Sequence, residues 1–150
     1  MLKAIELSQH HMRHGAGGPF GAVIVRGDEI IAEGHNRVTS TNDPTAHAEV
    51  VAIREACAKT AGFSLPGCVI YTSCEPCPMC LSAIYWARLD AIYYANTRQD
   101  AALIGFDDDH IYRELTLQLE DRAIPIIRME LVEASAVFEE WEKMPDKVPY

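Results

Sequence analysis

Three cysteines in one short run constrain this chain most. Cys74, Cys77 and Cys80 recur at every third residue, and prolines interrupt the run. This spacing brings thiols together on one helical turn, where they suit a metal ion better than a disulfide framework. The total of 5 Cys is odd, so the cysteines cannot all pair within the chain. The run therefore predicts a metal site in a reducing compartment, which we take to be the cytoplasm.

Length and charge limit the kind of partner. The chain has 150 residues, a 49% hydrophobic composition and a net charge of −9, which fits a single domain over residues 1–150 with its own core. The acid excess disfavours nucleic acid as a partner, because phosphate binding needs a concentrated basic patch. No run approaches the roughly 20 apolar residues that span a bilayer. The composition therefore predicts a soluble domain that binds neither membranes nor nucleic acid.

Short apolar runs alternate with helical patterns along the chain. The predicted strands are 22–25, 30–32, 68–72, 91–95 and 126–129. The predicted helices are the segment up to residue 14, 44–60, 78–87 and one around residue 141. Asp43 is expected to cap the second helix, with Pro44 at its first position. Because helices cross between neighbouring strands, the order predicts an α/β fold with a five-stranded mixed sheet covered on both faces.

A histidine adds to the candidate metal ligands. His47, Cys77 and Cys80 offer one nitrogen and two sulfurs, a set that suits zinc. Both motifs fall at predicted helix starts, where the helix dipole favours a thiolate. Three protein ligands leave a fourth position for water, whose pKa zinc lowers towards about 7. Glu49 does not share the helix face of His47, so its carboxylate suits proton transfer better than ligation.

Other interpretations of the cysteine run stay open at this point. A redox pair would need only two cysteines and no histidine. A ferredoxin-type cluster would need a fourth cysteine three residues after Cys80, and none is there. The strongest alternative is a closed structural zinc site with Cys74 as the fourth ligand, which leaves Glu49 unexplained.

The two motifs together resemble those of a known superfamily. His47-Ala48-Glu49 with Pro76-Cys77-Pro78-Met79-Cys80 matches the H-x-E…P-C-x-x-C signature of zinc-dependent nucleobase deaminases. The resemblance to this cytidine deaminase-like superfamily extends from about Pro19 to Tyr94. It implies a three-layer α/β/α sandwich, zinc bound by the matching histidine and two cysteines, and Glu49 as the catalytic proton carrier. Cys74 has no ligand counterpart there.

Within the superfamily, the chain resembles the bacterial guanine deaminases. The segment 18–21 is among the supporting features, and the more discriminating ones are the segment 105–112 and a terminal tyrosine. The resemblance implies hydrolytic deamination of guanine to xanthine and ammonia by a homodimer with swapped C-terminal segments. The implied purine contacts are Phe20, Asn36, Trp86 and Asp108, with Tyr150 contributed by the partner subunit. Simple core packing of Phe20 and Trp86, and a solvated acidic loop at Asp108, are the alternatives.

Hydrogen-bond chemistry gives Asp108 independent support. Guanine presents adjacent N–H donors at N1 and at its amino group, and a carboxylate can accept both. Adenine has an acceptor at N1, so the same carboxylate would disfavour it. A site whose buried polar group is left unpaired by the wrong base rejects that base strongly.

Other functions compete with this prediction. A tRNA adenosine deaminase shares the segment 42–49, but it must dock a polyanion. The C-terminal region instead carries Glu133, Glu139, Glu140 and Glu142. A deaminase of another free base or nucleoside, such as cytosine or cytidine, and a non-catalytic binding module held together by zinc are the remaining alternatives.

Overall fold

The computed structural model describes residues 1–106 and 108–150. They form two compact units, Met1–Tyr112 and Arg113–Tyr150. The strands of the first unit are β1 (Gly21–Arg26), β2 (Glu29–His35), β3 (Cys68–Cys74) and β4 (Ala91–Asn96). The helices up to the unit boundary are α1 (Leu2–Arg13), α2 (Val38–Thr41), α3 (Ala48–Thr60), α4 (Pro78–Trp86), α5 (Arg98–Leu103) and the first turn of α6 (Asp109–Thr116).

The sheet is mixed and has four strands in the order β2-β1-β3-β4. β1 runs antiparallel to both β2 and β3, and β3 runs parallel to β4. A parallel pair needs a crossover connection, which α4 supplies. The predicted α/β fold with a mixed sheet is confirmed.

The predicted fifth strand is wrong for this chain. Residues 126–129 form no strand, and Ile126, Ile127 and Met129 are exposed. The short apolar run favours a strand, but a strand needs a hydrogen-bonded neighbour. None of the strands that the structure describes pairs with this segment.

Two glycines place helices on opposite faces of the sheet. A Cβ atom on Gly21 would overlap the carbonyl oxygen of Ala4 in α1. A Cβ atom on Gly34 would overlap the carbonyl oxygen of Ala48 in α3. Gly34 pairs with Ala22, the residue after Gly21, and successive strand residues face opposite sides. α1 therefore covers one face, and α3 covers the other.

The core lies between the sheet and α3. Ala48, Ala52 and Ala56 of α3 are completely buried, and their small side chains let the helix lie close to the strands. Ile24 and Ile70 fill this layer from β1 and β3. Such close-packed contacts fix the position of α3. The start of α3 is thereby held against the sheet.

The start of α3 differs from the prediction in a way that matters for the site. Asp43 does not cap a helix: its carboxylate accepts hydrogen bonds from the backbone and hydroxyl of Thr45, at 2.8 and 2.7 Å. This local turn competes with helix formation. α3 begins instead at Ala48, with His47 as its N-cap residue.

The second unit contains the end of α6, a 3₁₀ turn (Leu119–Asp121) and α7 (Val132–Lys143). The helix predicted around Trp141 is therefore confirmed. No helix among the described residues has the length and apolar composition that a membrane crossing requires.

The contact at Gly34 yields a stability prediction. Gly34→Ala should lower the free energy of unfolding by about 1–3 kcal/mol or more, because the new methyl group meets backbone atoms that cannot move away cheaply. Gly62→Ala is the matched control, since the nearest atom to its added Cβ lies 3.8 Å away. Urea denaturation of both variants measures the effect. Equal midpoints for the two variants would contradict the packing described here.

Candidate active site

Two helix N-termini supply the candidate ligands. His47 is the N-cap residue of α3, and Cys77 is the N-cap residue of α4; both have extended backbone conformations. Pro78 follows at the first position of α4, where its fixed φ favours the helix and its missing N–H costs nothing. Cys80 lies one turn further along α4, and its side chain is fully buried. The positive ends of both helix dipoles thus point towards the same cluster.

The cluster has the dimensions of a zinc site. The Nδ1 atom of His47 lies 3.6 Å from the Cys77 Sγ and 3.5 Å from the Cys80 Sγ. Tetrahedral zinc with ordinary bond lengths holds nitrogen and sulfur ligands about 3.6 Å apart. In the part of the chain that the structure describes, this is the one group of three or more potential metal ligands this close together. The residues therefore fit a zinc ion with an open fourth position.

The cluster favours a thiolate before any metal binds. A hydrogen bond from the Cys80 thiol, with further help from His47, lowers the pKa of Cys77 to about 4. The same hydrogen bond and burial raise the pKa of Cys80. The hydrogen bond with Cys77 raises the pKa of His47. Because a metal must replace protons on its ligands, a thiolate already present reduces that cost.

Cys74 does not join the ligand set. Its thiol donates a hydrogen bond to the carbonyl of Thr97 at 3.5 Å, and burial raises its pKa to about 11. Its sulfur is not among the ligand atoms that lie close together. The closed four-ligand site is therefore not assembled, and Cys74 lines the neighbouring pocket instead.

Glu49 lies beside the ligands and is held in place. It is only 6% exposed, and burial raises the pKa of its carboxyl group. One carboxylate oxygen accepts a hydrogen bond from the Thr72 hydroxyl at 3.2 Å, and the other lies 3.4 Å from the Cys80 sulfur. Thr72 was not predicted as a site residue. The alternation of β3 does place it on the face covered by α3, next to Ile70 in that row.

A pocket of about 360 Å³ opens over this cluster. Six of the nine predicted site residues line it: Phe20, Asn36, His47, Glu49, Cys77 and Asp108. Residues that the sequence did not single out also line it, among them Glu75, Arg98 and Phe106. The volume falls within the range of small-molecule sites.

The backbone fixes the orientation of Asn36. Its Oδ1 atom accepts hydrogen bonds from the backbone N–H groups of Gly18 and Val38, both at 3.2 Å. Backbone N–H groups can only donate, so this atom must be the oxygen. The amide NH₂ is then the donor that Asn36 offers to the pocket. A Cβ atom on Gly17 would overlap Asn36, which gives this glycine a specific role.

The aromatic side chains separate into two groups. Phe20 and Phe106 line the pocket as an edge-to-face pair, with ring centroids 4.8 Å apart. Trp86 lies at the end of α4, is 61% exposed and does not line the pocket. Its exposure excludes the alternative of core packing. Tyr150 belongs to the second unit and is 76% exposed, so the roles of Trp86 and Tyr150 stay predictions.

Helix α5 carries Arg98 to the pocket. The Thr97 side chain accepts a hydrogen bond from the Asp100 backbone, and the Asp100 carboxylate accepts one from the Thr97 backbone. This reciprocal capping box has a recognisable sequence pattern, an uncharged hydroxyl residue followed three positions later by an acid. The pattern could have located α5 and with it Arg98.

Comparison with known proteins places this site in a family. Residues 1–96 match the family described as the cytidine and deoxycytidylate deaminase zinc-binding region. Guanine deaminase of Bacillus subtilis (strain 168) is 51% identical over 150 residues, which cover 100% of this chain and 96% of that protein. The X-ray structure of guanine deaminase from Bacillus subtilis matches with a TM-score of 0.97, covering 99% of this chain and 95% of that chain.

More distant relatives share less of the chain. The structure of guanine deaminase from Nitrosomonas europaea has a TM-score of 0.67 at 34% identity, covering 71% of this chain and 62% of that chain. A tRNA-specific adenosine deaminase of Aquifex aeolicus (strain VF5) is 44% identical over 77 residues, 51% of this chain and 51% of that protein. The family match spans all three candidate ligands and Glu49. The chain therefore belongs to the zinc-binding family of cytidine and deoxycytidylate deaminases.

Proposed function

We propose that this enzyme is a guanine deaminase, which uses zinc to hydrolyse guanine to xanthine and ammonia. One observation carries the choice of base: a pocket over the ligand cluster is lined by a fixed amide donor, Asn36, and a carboxylate acceptor, Asp108. The 51% identity to a guanine deaminase over the full chain supports the same choice.

Zinc would be held by His47, Cys77 and Cys80. A zinc ion with three protein ligands and an open position supplies a hydroxide nucleophile near neutral pH. The two thiolates balance the charge of the ion, and the two helix N-termini keep those thiolates deprotonated. The protein's part is to hold the ligands in a fixed geometry and to leave one side open to the pocket.

Glu49 carries the protons of the reaction. Its carboxylate lies beside the ligand cluster and lines the pocket. From there it would reach both the attacking water and a base bound in the pocket. It would take one proton from the attacking water and give it to a ring nitrogen of guanine. It would then take the second proton from the hydroxyl group added to the ring carbon and give it to the amine, which leaves as ammonia while that carbon becomes a carbonyl. The Thr72 hydroxyl holds one carboxylate oxygen and thereby orients the group.

Two polar side chains select the base. The Asn36 amide would donate to an acceptor on the purine, such as O6 or N7 of guanine. Asp108 would accept from the N1–H and amino donors on the neighbouring edge. Adenine presents an acceptor at N1 and would leave the Asp108 carboxylate facing a lone pair, which a desolvated site rejects. Phe20 and Phe106 supply the apolar surface against which a purine ring packs.

An RNA-editing function is less well supported. The tRNA-specific adenosine deaminase of Aquifex aeolicus matches about half of this chain, whereas the guanine deaminase of Bacillus subtilis matches all of it. The net charge of −9 opposes the docking of a polyanion. We therefore propose a free purine base as the substrate and no nucleic acid partner.

A swapped homodimer is part of the proposal. Residues 126–129 carry exposed apolar side chains, and β4 is an edge strand with half-exposed tyrosines, Tyr93 and Tyr94. Exposed strand edges and apolar runs favour pairing with another chain. The C-terminal segment of one subunit would join its partner, and Tyr150 of the partner subunit, with Trp86, would complete the purine site. Each chain would form a single domain, and two such chains would make up a cytoplasmic homodimer.

Zinc content tests the ligand set. Cys80→Ser should reduce bound zinc well below one ion per chain, because it removes a thiolate whose sulfur lies 3.5 Å from His47. Cys74→Ser is the matched control and should keep the metal, since its thiol bonds to a backbone carbonyl. Metal analysis of the purified proteins decides the point. Zinc loss in the Cys74 variant and not in the Cys80 variant would overturn the assignment.

An ammonia-release panel tests the reaction and the role of Glu49. The enzyme should release ammonia from guanine in preference to guanosine, adenine, adenosine, cytosine, cytidine and tRNA. Glu49→Gln should retain zinc and lose about 10²–10⁴-fold in turnover, because the proton carrier is gone. Near-native turnover of this variant would exclude the role. If the enzyme deaminates another compound of the panel and leaves guanine intact, guanine is excluded as the substrate.

Mixed dimers test the swap. A Glu49→Gln chain and a chain that lacks Tyr150 should each be weakly active. Once mixed, unfolded and refolded together, they should recover about one quarter of the normal activity, because half the dimers then hold one intact site. Light scattering of the same samples reports the oligomeric state. A monomer, or a mixture no more active than its parts, would contradict the swap.

A further inference from the structure

Asp108, the acidic residue assigned to base recognition, lies next to a helix that has no buried residue. Asp108 directly precedes α6, and none of the residues in α6 is buried. Core packing therefore does not fix the position of this helix. Because a specificity residue must be held within a fraction of an ångström, other contacts must supply its position.

Tyr112 supplies the first of these contacts. Its backbone N–H donates to the Asp108 carbonyl at 3.3 Å, as the N–H of Ile111 does at 2.9 Å. Its hydroxyl donates to the carbonyl of Pro76 at 3.1 Å. Pro76 immediately precedes the zinc ligand Cys77. Tyr112 thus ties the turn that carries Asp108 to the loop that carries a ligand.

Arg98 supplies the second contact. Its guanidinium carbon lies 4.6 Å from the centroid of the Tyr112 ring, within the range of a cation–π interaction. The backbone N–H of Arg98 donates to the Glu75 carboxylate at 3.1 Å. Glu75 belongs to the same ligand loop as Pro76. The ring of Tyr112 is therefore held both at its hydroxyl and at its face.

We infer that Tyr112 is a positioning residue: its hydrogen bond to Pro76 and its stacking under Arg98 hold Asp108 over the pocket and so set the affinity for the purine. The inference rests on the proposed function, because it assigns Asp108 to the base. Tyr112 touches neither the metal ligands nor the reacting atoms in this assignment. Its effect passes through Asp108.

A simpler role is that Tyr112 only stabilises the ligand loop. The two roles differ in what they predict for a doubly substituted enzyme. If Tyr112 acts through Asp108, its loss has no consequence once Asp108 can no longer accept from guanine. If Tyr112 acts through the loop, its loss reduces zinc content and lowers activity in either background.

A double-mutant cycle on the zinc-loaded enzyme separates them. Tyr112→Phe keeps the ring under Arg98 and removes one hydrogen bond, which should lower kcat/KM for guanine about 2- to 12-fold, mostly through KM. In the Asp108→Asn background, the same substitution should change kcat/KM by less than about 2-fold. Bound zinc should stay at one ion per chain. Equal losses in both backgrounds, or a loss of zinc, would overturn the inference.

Hydrogen exchange tests the same inference without any substrate. Tyr112→Phe should speed hydrogen exchange of the backbone amides at positions 111 and 112, which donate to the Asp108 carbonyl. It should leave exchange of the Cys80 and Leu81 amides in α4 unchanged. Tyr85→Phe is the control, because Tyr85 is 70% exposed. Unchanged exchange at position 111 would overturn the inference. If the wild-type enzyme leaves guanine intact, the proposed function fails while this measurement still decides whether Tyr112 holds the turn.

Discussion

The meeting of two helix N-termini is the constraint on which the rest of the structure depends. Two positive dipole ends aimed at one point repel each other unless anionic groups lie between them. The thiolate favoured at Cys77 supplies such a charge, and the Glu49 carboxylate lies beside it. The close approach of α3 to the sheet, which Gly34 permits, brings His47 to this point. Fold and ligand set therefore stabilise each other, since each fixes the geometry that the other needs.

In the proposed function, the residues that carry the reaction and those that select the base lie in parts of the molecule that pack differently. The candidate ligands and Glu49 lie at the starts of α3 and α4, and buried residues are part of the first turn of each helix. Asp108 and Phe106 belong to a segment with exposed neighbours. A change of base preference in that segment would cost little core packing.

The parts that sequence reasoning predicted are those set by local pattern. The spacing of Cys77 and Cys80 on one helical turn predicted the two sulfurs, ligand chemistry added His47 and Glu49, and the motif resemblance supported all four. The four strands up to β4 and the helices α1 and α4 lie close to where apolar runs, helical spacing and turn residues predicted them, whereas α2 and the start of α3 did not follow from the pattern. The hydrogen bond from Thr72 to Glu49 joins residues that are 23 positions apart, and the one from Tyr112 to Pro76 joins residues 36 apart. No local pattern encodes such contacts, because they depend on how separate elements meet.

The segment 126–129 shows why a local apolar pattern is not enough to predict a strand of the sheet. Its apolar residues, two of them isoleucines, favour a strand, and that preference is local. Strand formation is not local, because each backbone group must find a partner. A strand predicted from one sequence is assumed to pair with another strand of the same chain. The error in the strand count therefore concerns the missing strand partner.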